Sequence, residues 1–210
     1  MVAHVQASLL DAVDDDRPRL GPLGGLRRTP LASGAWVDHL PGWVAGSDAL
    51  FRELLERVPW REERRRMYDR VVEVPRLLCW YGEGAPLPSP VLEQARDALS
   101  AHYAAELREP FRTAGLCCYR DGRDSVAWHG DTIGRSATED TMVAIVSLGS
   151  PRRLLLRPRG GGQTLGFSLG HGDLVVMGGS CQRTWEHAVP KTARPVGPRV
   201  SVQFRPRGVR

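Results

Sequence analysis

Met142-Val143-Ala144-Ile145-Val146-Ser147-Leu148, followed at once by Gly149-Ser150-Pro151, is a short apolar run closed by a turn. A run of that length between turn residues is the unit of a strand, because a helix needs a longer periodic stretch to bury one face. The unit recurs on both sides. Ala114 to Tyr119, Arg153 to Arg157, Gln163 to Leu169, Leu174 to Met177, Thr184 to Val189 and Val200 to Phe204 are further such runs. They are separated by Asp121-Gly122, Gly160-Gly161-Gly162, Gly178-Gly179 and Pro195-Val196-Gly197-Pro198. Short strands at fairly even spacing mark an all-β sandwich or barrel. Upstream, Ala35 to Leu40 is also strand-like, but two other segments carry helical spacing. Leu50, Phe51, Leu54, Leu55 and Val58 follow Ser47 and stop at Pro59, and Val91, Leu92, Ala95, Leu99 and Tyr103 follow Ser89-Pro90. The predicted fold is mainly β (α+β), a double-stranded β-helix or jelly roll with the N-terminal helices packed on one sheet.

With 210 residues the chain is expected to form one domain over 31–210, preceded by a poorly ordered arm over 1–30 that holds at most one short edge strand. The jelly-roll core is placed at 111–206. A charged fraction of 25% and a hydrophobic fraction of 41% argue against disorder and membrane residence. No apolar run approaches the roughly 18 residues that cross a bilayer, and the N-terminus lacks a basic region followed by an apolar core. A cytoplasmic monomer with no membrane association is expected. Cys79, Cys117, Cys118 and Cys181 have no Cys-x-x-Cys spacing and read as reduced, buried thiols. The net charge of +5 is carried by arginine, with one lysine at Lys191, which favours a nucleic-acid partner only weakly.

The chemistry concentrates at Trp128-His129-Gly130-Asp131. Alternate residues of a strand share a face, so His129 and Asp131, placed at the start of one strand, direct two ligands to one point. His187 adds a second imidazole, giving two histidines and one carboxylate, the set that leaves open positions on non-haem Fe(II). Gly170-His171-Gly172-Asp173 also reads His-x-Asp, but it looks like a turn feeding the next strand, with Asp173 bonding local backbone. Near the C-terminus, Arg199, Ser201, position 203 and Arg205 fall on one face of a strand. Two inward arginines require an anion, such as a small dicarboxylate on the metal; facing outward, they would simply meet solvent.

Residues 60–90 interleave aromatics with arginines: Trp60, six arginines, Tyr68, Pro75-Arg76 and Trp80-Tyr81-Gly82. Such a stretch can stack bases and hold phosphates, or form an irregular flap over the barrel.

Taken together, Tyr119-Arg120-Asp121-Gly122, Trp128-His129-Gly130-Asp131, Val146-Ser147-Leu148-Gly149, His171-Gly172-Asp173, Trp185-Glu186-His187 and the Arg199/Arg205 pair resemble the AlkB family of Fe(II)- and 2-oxoglutarate-dependent dioxygenases, its bacterial nucleic-acid repair branch most. The resemblance covers about residues 35–205 and implies a jelly-roll core with iron held by His129, Asp131 and His187. It implies 2-oxoglutarate held by Tyr119, Arg199 and Arg205, with Ser201 and Cys117 on the same walls, and O2 as the third reactant. The family's lid over the damaged base would match residues 60–90, with Arg76, Trp80, Tyr81 and Trp60 as substrate contacts. The implied activity is oxidative dealkylation of N-alkylated bases in DNA or RNA. An oxygenase acting on a protein or small molecule, or a weakly active nucleic-acid-binding module, stays open beside it. Two positions depart from the family pattern. Cys117 stands where many members place an asparagine against 2-oxoglutarate, and Thr132-Ile133-Gly134-Arg135 follow Asp131 where many carry an acidic residue that recognises the base.

Overall fold

The computed structural model describes residues 17–67 and 70–209. The chain forms, in order, β1 (Arg19–Leu20), β2 (Arg27–Pro30), β3 (Ala35–Leu40), β4 (Val44–Ala45), α1 (Ser47–Arg57), β5 (Arg61–Met67) and β6 (Arg70–Tyr81). It continues with α2 (Pro90–His102), α3 (Ala104–Leu107), β7 (Thr113–Tyr119), β8 (Val126–His129), β9 (Val143–Gly149), β10 (Arg152–Pro158) and β11 (Leu165–Leu169). β12 (Asp173–Gly179), α4 (Cys181–Thr184), β13 (Trp185–Val189) and β14 (Arg199–Arg205) complete it. Two sheets face one another. The major sheet has the order β2-β3-β12-β9-β14-β7-β6-β5 and the minor sheet β11-β10-β13-β8, the jelly-roll core with helices on one side that the run spacing predicts.

The central strands of the major sheet, β12, β9, β14 and β7, are buried on both faces, which explains why β12, β9 and β7 read as continuous apolar runs instead of alternating apolar and polar residues. β9 lies between β12 and β14. Its Ala144, Val146 and Leu148 point to a core shared with Leu50 and Leu54 of α1 and Leu92, Ala95 and Leu99 of α2. Its Val143 and Ile145 point the opposite way, into a second core with Leu154 and Leu156 of β10, Leu169 of β11 and Val189 of β13. Burial of each leucine on α1 contributes about 1.5–3 kcal/mol. On β14 the same alternation sends Val200, Val202 and Phe204 to the helices, and leaves Arg199, Ser201, Gln203 and Arg205 for the space between the sheets.

Residues 17–30 are more ordered than an arm with at most one strand. β1 pairs with β4, and β2 pairs with β3. Arg28 secures the second pairing: its Nε and Nη2 each donate to Asp38 at 2.8 Å, while Tyr103 donates to the same carboxylate at 2.8 Å. Burial, then the hydrogen bond to Asp38, pushes the Tyr103 hydroxyl up. Residues 1–16 lie outside the described residues. The 60–90 stretch is not an irregular flap: β5 and β6 form an antiparallel ladder that closes one edge of the major sheet through β6 on β7.

Candidate active site

His129 ends β8 and stands in register opposite His187 on β13, which brings their ring centroids to 4.2 Å. Asp131 lies beyond the strand end, so the two ligands do not share a strand face as their spacing suggests; a turn through Gly130 swings the carboxylate back. A Cβ on Gly130 would strike the Gln182 carbonyl, so this turn accepts only glycine without shifting. The Gln182 side chain accepts the Asp131 N–H at 3.1 Å, and the Ser136 hydroxyl donates to the Asp131 carbonyl. One ligand atom from each of His129, Asp131 and His187 falls within 4.8 Å of the others, the one such group found among the described residues.

Each ligand atom is prepared by its neighbours. The Ala127 carbonyl lies 2.9 Å from His129 Nδ1; a carbonyl only accepts, so Nδ1 carries a proton and Nε2 is the nitrogen turned to the other two ligands. Burial brings His187 down to about 3, leaving it neutral at ordinary pH, as a metal ligand must be. For Asp131, burial works upward, but Arg205 and then the two imidazoles outweigh it and hold the carboxyl at about 2. Arg205 Nε bonds Asp131 Oδ2 at 2.9 Å, while Oδ1 faces His129 Nε2 at 3.7 Å. This donor set, two imidazoles and one ionised carboxylate with a free oxygen, fits Fe(II).

Beside these ligands the pocket, of about 820 Å³, runs between the sheets. Arg199 projects into it from β14 and is 2% exposed. Its Nε donates to Ser147 at 3.0 Å, and its Nη1 is buried with no partner. A buried guanidinium with an open donor is costly without an anion, so the outward-facing alternative is excluded. The Tyr119 ring lies 5.2 Å from the Arg199 guanidinium and 5.5 Å from that of Arg152. Ser201 and Cys117, opposite one another on β14 and β7, line the same wall. Gln203, the position the shared-face spacing included without a role, is part of it too. Its amide donates to Ser201 Oγ and its Oε1 lies 3.7 Å from the Cys117 thiol. Gly115 makes this possible: a Cβ there would sit 2.9 Å from Arg205 and 3.2 Å from Gln203.

The four expected substrate contacts divide. Arg76, Trp80 and Tyr81 line the pocket. Arg76 and Trp80 do so fully, since alternation along β6 turns them to that face; Tyr81, on the opposite phase, packs partly against the helix-side core. Trp60 is a correction: its indole packs against the helix-side core and is absent from the pocket wall, because β5 begins one residue later, with Arg61 on the rim. The second His-x-Asp is structural. Asp173 accepts the N–H groups of Gly42 at 2.8 Å and Gly170 at 2.7 Å, and His171 accepts the Gly149 N–H at 2.7 Å.

A jelly roll with two imidazoles and a carboxylate at one mouth defines the class of non-haem Fe(II) oxygenases. The model of the 2OG-Fe(II) oxygenase superfamily matches residues 37–205, and the chain belongs to that superfamily, which uses Fe(II), 2-oxoglutarate and O2. Within it the similarity is to AlkB homologues, as the motifs indicate. The chain is 30% identical over 187 residues to the alpha-ketoglutarate-dependent dioxygenase alkB homolog 3 of Homo sapiens, covering 79% of this chain and 64% of that one. It is 27% identical over 184 residues to the DNA oxidative demethylase ALKBH2 of Homo sapiens, covering 77% and 69%. The chain thus spans a little under two thirds of the alkB homolog 3 relative. The fold is shared with OsALKBH1, at 14% identity and a TM-score of 0.58, covering 86% of this chain and 100% of that one. It is shared too with a 2OG-Fe(II) oxygenase family oxidoreductase from Burkholderia pseudomallei, at 16% identity and a TM-score of 0.56, covering 82% and 86%.

Proposed function

We propose that this protein removes N-alkyl groups from bases of DNA or RNA by Fe(II)- and 2-oxoglutarate-dependent oxidation. The observation that carries the reading is the buried, incompletely partnered Arg199 sharing one pocket with His129, Asp131 and His187. Those three would hold the metal. Tyr119, Arg199 and Ser201 would take the distal carboxylate of 2-oxoglutarate, with Cys117 on the same wall and Arg205 between co-substrate and Asp131. When bound, Fe(II) with 2-oxoglutarate and O2 supplies the oxidation: one oxygen atom enters an N-alkyl C–H bond, the other leaves in succinate, and CO2 is lost. The hydroxylated carbon then parts from nitrogen, its hydroxyl proton passing through water to the base, so that an aldehyde and the unalkylated base are released.

The rest of the chain's work is positioning. Val143, Ile145, Leu154, Leu169 and Val189 make the inner wall apolar and exclude water. The β5–β6 hairpin acts as the lid, offering Arg61 and Arg76 to nucleic acid and Trp80, 42% exposed, as a stacking surface. A base must leave the stack to enter, and a poorly paired alkylated base does so at least cost. One chain supplies every ligand, which supports a monomeric enzyme; no described helix is long and apolar enough to cross a membrane, in keeping with action in the cytoplasm. The test is succinate formation with single-stranded DNA or RNA bearing one alkylated base, against the same strand unmodified. Stimulation by the alkylated strand is expected, and loss of salt-dependent binding is expected in Arg76→Ala and Trp80→Ala. If neither strand stimulates turnover or binds, the reading gives way to an oxygenase of smaller substrates.

A further inference from the structure

The charges around the open part of the pocket are unbalanced. Arg61, Arg76, Arg199 and Arg205 line it against only two carboxylates among the described residues, Glu63 and Asp131. Asp131 is already engaged by Arg205, and Glu63 sits on β5 at the exposed sheet edge. Fe(II) and the 2-oxoglutarate dianion cancel one another, so loading leaves the excess of guanidinium charge in place. At the mouth, the two residues after Asp131 are Thr132 and Ile133, and Ile133 is 70% exposed. The wall beside the metal therefore offers a hydroxyl and an alkyl surface, with no carboxylate to meet a positive charge.

Resting on the dealkylation reading, we propose that the base this pocket accepts is a neutral N-alkylated base, with at least one carbonyl oxygen beside the alkylated nitrogen, and not a cationic one. Alkylation at N3 of cytosine or N1 of adenine adds a carbon to a lone pair and fixes a positive charge. At N3 of thymine or N1 of guanine it replaces a proton and leaves the base neutral. A fixed cation entering a pocket that keeps this excess of guanidinium charge is repelled. The donors point the same way. Arg76 is anchored by its Nη1 on the Ser125 carbonyl at 3.1 Å, and its Nε is buried with no partner. An N–H donor is satisfied by a carbonyl oxygen: thymine places two beside the alkylated nitrogen, guanine and cytosine one each, and adenine none, so the donor favours thymine and disfavours adenine, while charge alone separates guanine from cytosine.

Single-stranded oligonucleotides of one sequence test this in matched pairs: 3-methylthymine against 3-methylcytosine, and 1-methylguanine against 1-methyladenine. Two quantities are read: kcat/KM for dealkylation, and the affinity of each oligonucleotide for the protein loaded with Mn(II) and 2-oxoglutarate, where no oxidation occurs. The neutral member of each pair should lead by roughly tenfold or more in both, the effect of one mismatched charged contact. Ile133→Glu, at an exposed position that tolerates the change, should shift both ratios toward the cationic member. Equal handling, or preference for the cationic bases, overturns the proposal while leaving dealkylation standing; unchanged ratios in Ile133→Glu overturn the role given to this loop. If none of the four bases is dealkylated or bound, the underlying function falls and this inference with it.

Discussion

Arg205 Nε lies 2.9 Å from Asp131 Oδ2, joining the last strand of the core to the carboxylate of the candidate metal site across 74 positions of sequence. Both side chains are largely buried, at 12% and 6% exposure. In the metal-free protein the pair is a cation and anion taken out of water together, and removing the cation strands the anion.

Arg205→Leu should therefore destabilise the metal-free protein by about 3–5 kcal/mol, the usual result of breaking a buried pair. A bound divalent cation compensates the same carboxylate. Thermal unfolding with and without Mn(II) should show a lower melting temperature without metal and a larger gain on adding it than in the parent. An equal gain in both proteins would mean that Asp131 does not meet the metal.

The two His-x-Asp sequences should separate under mutation. Asp131→Asn, which keeps an oxygen for Arg205 but loses the anionic ligand, should abolish most Mn(II) or Co(II) binding with the fold retained. Asp173→Ala leaves the Gly42 and Gly170 N–H groups without their acceptor, at about 1–3 kcal/mol each, with metal affinity retained. Metal titration and chemical denaturation of both variants check this; the opposite assignment of the two effects would reverse the choice of pair.

Co-substrate affinity should follow β14 and β7. Arg199→Ala should weaken 2-oxoglutarate binding about ten- to a hundredfold, as a charge-assisted contact of roughly 1.5–3 kcal/mol is lost. Lysine should rescue only in part, since an ammonium lacks the planar fork that also reaches Ser147. Cys117→Asn replaces a weak thiol donor by an amide and should tighten binding a few-fold, about 0.5–1.5 kcal/mol. Calorimetric titration of the Mn(II) protein measures both, and an unchanged constant in Arg199→Ala would remove that side chain from the co-substrate site.

Alkaline stability should depend on Tyr119. Burial, with the neighbouring Cys117, raises its hydroxyl to about 12 from an ordinary 10.0, the nearby arginines pulling the other way. An acid raised in the folded state contributes stability that is complete below pH 10 and lost as pH climbs through about 12, roughly 2–3 kcal/mol in all. Unfolding free energies from pH 9 to 12 should fall less steeply in Tyr119→Phe than in the parent. Parallel curves would show that Tyr119 ionises as freely folded as unfolded.

What could be read from the sequence was local. Runs such as Met142 to Leu148 closed by Gly149 located the strands from β7 to β14, other than β8, within a residue or two, because strand alternation and turn chemistry act over a few neighbours. The same alternation placed Arg199, Ser201, Gln203 and Arg205 on one face. It did not say which face was the pocket, since that depends on helices α1 and α2 covering the other side. β5 was missed because its arginines and glutamates carry no apolar period; its pairing to β6 gives it order. β8 was misplaced, His129 being taken for the start of a strand that it ends, because the strand is only Val126–His129, and the Asp131 carboxylate reaches the site by a turn set by Gln182, far along the chain. Trp60 and Arg61 look interchangeable as neighbours in an aromatic and basic stretch, yet the phase at which β5 begins sends one to the core and the other to the rim. The sequence by itself determined the strand runs and the donor types. Tertiary structure alone decided that His129 meets His187 while Asp173 is spent on backbone N–H groups, because these contacts depend on register across sheets, and no local residue preference encodes it.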